Sequence, residues 1–315
     1  MKICEDETNV FDISKFAQLL AVLPGDFSKE CIRLIEEQDF RYKKLNQKIR
    51  DSVILRVLKR LNDVSMTPSG EAYLEKWESG WGENRKDYGL TGDVKDLLPK
   101  FVKKNEVVRL EGDYVLPLNS EFETSFVNVL RQFVFERFLT GYQDIFEFGA
   151  GTGHNLVHLS RIFPNAKLTG LDWSTEACKL IEEVGLRLGI NLTSAMFDMF
   201  KPSSDLQIPD GSALFTIGAL EQLGQNHEEF LKFILKSKFQ ICIHLETSYE
   251  IYEEEELLDA LSKRYLEKRN WLKGYFASLR NAESEGALEI IYQRRTFGSL
   301  FHDGYTITVW KKKNV

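Results

Sequence analysis

The sequence predicts an α/β fold in which a helical region precedes a parallel sheet with helices on both of its faces. Two patterns carry this expectation. From Asp144 onward short apolar runs alternate with amphipathic segments, as successive βαβ units require, whereas through about residue 140 the apolar spacing is helical. A third observation is the turn Gly149-Ala150-Gly151-Thr152-Gly153, which follows an apolar run and opens into a helix. We expect residues 1–120 to form a helical lid or oligomerisation region and residues 121–315 to form the sheet-bearing, ligand-binding domain.

In the first half, Phe16, Leu19, Leu20 and Leu23 fall at helical spacing, as do Ile32, Leu34 and Ile35, and then Tyr42, Leu45, Ile49, Val53, Val57 and Leu61. Pro24-Gly25, Thr67-Pro68-Ser69-Gly70 and the glycine-rich run 80–92 read as turns, with Thr67 capping a helix that Pro68 begins. A helix over 121–139 links the halves. The second half then offers strands at 145–148, 167–171, 192–197, 213–217 and 240–245, and helices at 155–163, 175–188 and 228–236. A long charged helix over 253–283 precedes two more runs, 287–294 and 305–311, which a glycine-containing loop makes antiparallel.

Composition excludes several classes. Of 315 residues 43% are hydrophobic and 12% aromatic, enough for a real core and too much for a disordered chain. Lys plus Arg number 41 against 48 Asp plus Glu, a net charge of −7, so no overall field gathers polyanions and no nucleic acid is expected. Cys4, Cys31, Cys178 and Cys242 form no CxxC pair, which argues against a zinc site or disulfide framework and for a reduced, cytoplasmic setting. No run reaches the roughly 18 to 20 apolar residues of a membrane span, and MKICEDETNV is acidic where a signal peptide is basic and then apolar. Metal-ligand spacing is absent too, so no metal is expected. The stretch 40–61 carries eight Lys or Arg against Asp51 alone. It reads as a packed helix with a solvated outer face, the alternative being a surface for an anionic partner.

Alternate glycines let the backbone turn tightly and lay bare peptide against a ligand, while the following helix presents free N–H groups to an anion. Asp172, at the end of the next apolar run, can accept from both ribose hydroxyls. The spacing is GxGxG, and His154 stands where the dinucleotide fingerprint has glycine or alanine, which disfavours an NAD-dependent oxidoreductase.

The region from 144 to about 311 resembles the class I S-adenosylmethionine-dependent methyltransferases, whose Rossmann-like sheet has seven strands. The resemblance implies S-adenosylmethionine as cofactor. Glu147 matches the acid before the first glycine of that family's first motif, and Gly149, Ala150, Gly151, Gly153 and Asn155 match the turn that holds the methionine part. Asp172 matches the ribose acid with Trp173 beside the adenine, Asp198 and Met199 match the adenine loop, and Gly218 opens the segment after the fourth strand. There Gln222 stands in place of the family's histidine, so no base comes from that position. More loosely, Gly218 to Gly224, the run 241–246 and Phe297 to His302 resemble methyltransferases of surface-polysaccharide and nodulation type, which implies sugar O-methylation.

A sulfonium already activates its methyl group, so the protein's tasks are alignment, exclusion of water and removal of a proton from a hydroxyl acceptor. His244 and Glu246 alternate with apolar residues on strand 240–245 and reach its carboxyl end, so His244 is the candidate base and Glu246 its partner, against the reading of His244 as a core histidine. Trp81 and Tyr88, with Glu221 and His302, are candidate contacts for a small-molecule or glycan acceptor. Trp81 and Tyr88 could instead staple the helical half to the sheet, and the helical half could make a homodimer. A catalytically silent module of the same fold, binding a partner through 40–61, is the remaining alternative.

Overall fold

The computed structural model describes residues 7–70, 73–100 and 106–313. Cys4 and the acidic residues 5–6 lie outside them. A seven-stranded sheet forms the centre, in the order β10-β11-β9-β8-β5-β6-β7. Its strands are β5 (Asp144–Phe148), β6 (Lys167–Asp172), β7 (Leu192–Met196), β8 (Ser212–Ile217), β9 (Phe239–Glu246), β10 (Leu288–Arg294) and β11 (Thr306–Lys312). Neighbours from β7 through β9 are parallel, and β11 enters antiparallel to both β9 and β10. The strand order therefore reverses beside β5, and a ligand is expected above the carboxyl ends of β5 and β8.

Period-two alternation divides the strands between two faces. Ile145, Phe215, Ile243 and Val309 join one apolar cluster, while Phe146, Phe148, Leu214, Cys242 and Trp310 join another. On the first face lie α5 (Phe122–Phe138), α6 (His154–Ile162) and α7 (Thr175–Leu188), and on the second α8 (Glu228–Lys236) and α10 (Tyr275–Ser284). Phe11, Phe16, Phe40 and Tyr42 belong to the first cluster, so the N-terminal half shares a core with that face.

Four expectations are corrected. The N-terminal half is not all helix: with α1 (Ile13–Leu20), α2 (Lys29–Glu37) and α3 (Gln47–Leu61) it has an antiparallel sheet β1-β2-β4-β3, of Asn9–Val10, Arg41–Lys44, Asp113–Pro117 and Val108–Leu110. Tyr42 thus leaves the predicted helix for β2, because pairing with Pro117 of β4 and burial override a spacing shared with α3. Residues 67–70 begin no helix, and the Ser69 amide and hydroxyl instead donate to the Arg269 carbonyl. The glycine-rich run lies inside α4 (Leu74–Thr91), which ends at Gly92 in the left-handed conformation, φ 70°. Finally, 253–283 is two helices, α9 (Leu257–Arg269) and α10, broken where Asn270 and Gly274 take φ of 52° and 94°.

The basic stretch is a packed helix only from Gln47 onward, in α3, while Arg41, Lys43 and Lys44 lie on β2. Val53, Ile54 and Val57 of α3 meet Leu258 and Leu261 of α9, and outward-facing Arg50, Arg56 and Arg60 pair with Asp113, Glu106 and Asp63. Among the described residues no helix is long and apolar enough to cross a membrane.

Candidate functional site at the glycine turn

The first three apolar-strand ends build the site. After β5 the chain passes through Gly149, Gly151 and Gly153 with φ of 69°, 53° and 73°, a path that side chains other than hydrogen rarely allow. Leu171 of β6 accepts from the amides of Gly149 and Ala150 at 2.7 and 3.0 Å, which fixes the turn to the neighbouring strand. A Cβ on Gly151 would lie 2.9 Å from the Trp81 ring, and one on Gly149 would lie 2.4 Å from Ala219. A side chain at either position would collide with a neighbour, so the turn requires glycine at both.

Two carboxyl groups flank this cradle. Asp172, 5% exposed, accepts from the Gly151 amide at 2.8 Å and the Ser174 amide at 2.9 Å, one to each oxygen. Burial raises its pKa to about 6 against the pull of those amides. Glu147 is fully buried, and Asn155 at the start of α6 donates to its Oε1 at 2.6 Å. Its Oε2 is buried without a partner, and burial raises the group to about 8. A desolvated carboxyl with a spare acceptor is complementary to a cation that carries N–H donors.

The remaining cofactor candidates form the rim. Trp173 stacks on Phe200, centroids 5.6 Å apart, the Asp198 carboxylate accepts from the Phe200 amide at 2.8 Å, and Met199 reaches to 3.6 Å from the Cβ position of Gly149. Gly218 is exposed at the end of β8 with φ 62°. These residues, half-buried apart from Gly218, surround the open side of the turn.

Trp81 and Tyr88 prove to be different. Trp81 stacks on Trp77 at 5.3 Å and covers Gly151, so it belongs to the glycine turn. Tyr88 is 1% exposed, lies under the guanidinium of Arg187 on α7 and sits in the core, which corrects its expected contact with an acceptor. Helix α4 is clamped rather than loose. Arg85 pairs with Glu176 and Glu183 of α7, Glu78 accepts from the Ser174 hydroxyl, and Leu97 accepts from Thr152 inside the turn.

His244 is also corrected. It is fully buried, and Trp310 Nε1–H, which can only donate, reaches its Nε2 at 3.1 Å, with the Tyr275 hydroxyl at the same distance. The ring hydrogen therefore sits on Nδ1 and points to Thr216 Oγ1, 2.9 Å away. Its one lone pair is already engaged and burial lowers its pKa to about 3, so it is a core histidine with nothing to offer a substrate proton. Glu246, fully buried two residues on, accepts from the Ala219 amide at 2.9 Å and so holds the turn that carries Glu221, while its Oε2 has no partner. Burial raises Glu246 to about 7, and burial together with Glu246 raises Glu221 to about 8. Glu221 and His302 each keep some open surface yet are desolvated enough to shift strongly, His302 to about 3. Tyr265 stacks on His302 at 5.7 Å and Trp271 meets its edge at 4.8 Å.

Sequence reasoning missed Arg131, Glu78, Tyr265 and Trp271. Arg131 had a signal, as the sole charge in the apolar stretch 126–135. Among the described residues no group of His, Cys, Asp and Glu could hold a metal ion.

No protein-family profile and no curated protein matches the chain. Among solved structures it is similar to the 4+2 cyclase SpnF, at 14% identity and TM-score 0.51, over 79% of this chain and 98% of that one. It is also similar to the geranyl diphosphate C-methyltransferase from Streptomyces coelicolor A3(2), at 12% identity and TM-score 0.47, over 78% and 100%. A third likeness is to magnesium protoporphyrin IX methyltransferase from Synechocystis PCC 6803, at 11% identity and TM-score 0.45, over 61% and 84%. Strand order and glycine turn, with the likeness to the cyclase, give this chain a seven-stranded, Rossmann-like α/β fold.

Proposed function

We propose that the protein is an S-adenosylmethionine-dependent methyltransferase acting on a hydroxyl of a small molecule or glycan precursor. One observation carries the reading: the buried Glu147 carboxyl, with an unpartnered oxygen, beside a glycine turn that no side chain can enter. These residues fit the cofactor. Glu147 would receive its ammonium, the bare backbone of Gly149 to Gly151 its methionine chain, and Asp172 its ribose hydroxyls. Asp172 accepts from the backbone amides of Gly151, Trp173 and Ser174, which leaves carboxylate lone-pair capacity for a ribose hydroxyl. Trp173, Asp198 and Met199 would line the adenine.

When bound, the cofactor supplies a methyl group that needs no further activation. The chain's own residues then position the acceptor, exclude water and take its proton. Glu221 is the proton acceptor in this reading, since it combines open surface with closeness to Glu246, and Glu246 holds the turn beneath it. Below about pH 8 Glu221 is mostly neutral in the unliganded protein. A cation in the site favours its ionised form, so the base becomes competent as the site fills. The test is mass spectrometry of sugar, nucleotide-sugar and metabolite pools incubated with the protein and S-adenosylmethionine. Gain of one methyl on an oxygen supports the reading. Methyl gain on carbon or nitrogen overturns the hydroxyl assignment, and bound cofactor with no methylated product in any pool favours the silent module.

A further inference from the structure

The Glu147 carboxyl is held from behind, by a chain of side chains that begins on another helix. Arg131 of α5 donates from Nη1 to Asn155 Oδ1 and from Nη2 to Asn128 Oδ1, and Asn155 Nδ2 passes the contact on to Glu147 Oε1 at 2.6 Å. Exposures of 5%, 3% and 0% for Arg131, Asn155 and Glu147 put the whole relay out of water. A carboxamide both accepts and donates, so Asn155 has one orientation here: oxygen toward the guanidinium, nitrogen toward the carboxylate.

We propose that Arg131 is a positioning residue that, through Asn155, keeps the Glu147 carboxylate oriented and available as an anion, and thereby couples capture of the cofactor's ammonium to a proton. The proposal rests on the methyltransferase reading and deepens it. Arg131 of α5, Asp172 of β6 and Glu246 of β9 are the charged groups that act on Glu147 from the elements packed around it. Burial and the two acids favour the neutral carboxyl, and among the three charges Arg131 alone favours the carboxylate. Arg131 meets amide oxygens and no carboxylate directly, so its charge reaches Glu147 across one amide, and it acts as well on His154, His158 and Tyr305. Without that charge Glu147 holds its proton to a higher pH and offers an ammonium a neutral acid.

The experiment measures S-adenosylmethionine affinity by calorimetry for wild type and Arg131→Met across roughly pH 6 to 9.5. Titration of the cofactor's own amine affects both proteins alike and cancels in their ratio. Each unit by which the substitution raises the Glu147 pKa lowers affinity about tenfold on the acid side, and the two proteins converge as pH rises past both values. Arg131→Lys, which keeps a charge, restores part of the acid-side affinity. A wild-type to Arg131→Met ratio that stays constant with pH overturns the proposal, because a purely structural loss has no reason to track one proton. Should Arg131→Met fail to fold, Asn155→Leu breaks the relay at its middle and is predicted to give the same pH-dependent ratio. Wild type that binds no cofactor at any pH fails the underlying reading, which is a different result from bound cofactor with a constant ratio.

Discussion

Glu147 and His244 are both fully buried on strands of one sheet, and burial pushes each toward its neutral form, yet their surroundings differ. His244 accepts on Nε2 from Trp310 and Tyr275 and donates from Nδ1 to Thr216, so it is complete. Glu147 has one oxygen held by Asn155 and the other unpaired at a glycine cradle. The contrast teaches that burial and perturbed titration do not by themselves mark a working group. What separates the two is the unpartnered oxygen of Glu147 beside the glycine turn, on which the proposed cofactor contact rests.

The contrast can be broken or sharpened by experiment. The largest effect is expected at the cradle itself. Gly151→Val places side chain against Trp81 at a positive φ, and affinity for S-adenosylmethionine is predicted to fall by two orders of magnitude or more, roughly 3 kcal/mol, in a calorimetric titration. Next, Glu147→Gln keeps the shape and removes the charge. Loss of a charge-assisted contact is worth about 1.5 to 3 kcal/mol, so a fall of roughly ten- to a hundredfold is predicted.

His244→Leu should do the reverse, leaving affinity within about twofold. It strands the Trp310 and Tyr275 donors, so a denaturant melt should show a loss of about 1 to 3 kcal/mol.

The smallest effect is a pH trend in the unliganded fold. Glu147, Glu221, Glu246 and Asp172 titrate above their ordinary values, so stability they contribute at acid pH is lost as pH climbs through about 6 to 8. His158, His244 and His302 titrate at about 3, so their contribution is present above 6.5 and is lost toward pH 3. The melting temperature should therefore be lower at pH 8.5 than at pH 6, and saturating cofactor should narrow that gap. Equal melting temperatures would refute it.

The sheet and the glycine turn were legible because their constraints are local. Alternation gives the strands, and three glycines at alternate positions have no purpose in a plain loop. Other features depend on partners far along the chain. The helix α4 runs through Gly80, Gly82 and Gly89 because Arg85 is clamped by Glu176 and Glu183, and spacing in the sequence cannot announce that. Strand β2 is four residues long, too short for its period to stand apart from the helix after it. For His244 alternation gave the correct face, but not that Tyr275 and Trp310 close over it. Arg131 was visible as an isolated charge, while the carboxyl it serves lies on a different element.

The most direct test of the central claim titrates wild type, Glu147→Gln and His244→Leu with S-adenosylmethionine at one pH near neutrality. Saturable binding to wild type at one site per chain, weakened by Glu147→Gln and untouched by His244→Leu, is the predicted result. No binding to wild type, or equal binding by wild type and Glu147→Gln, would contradict the account.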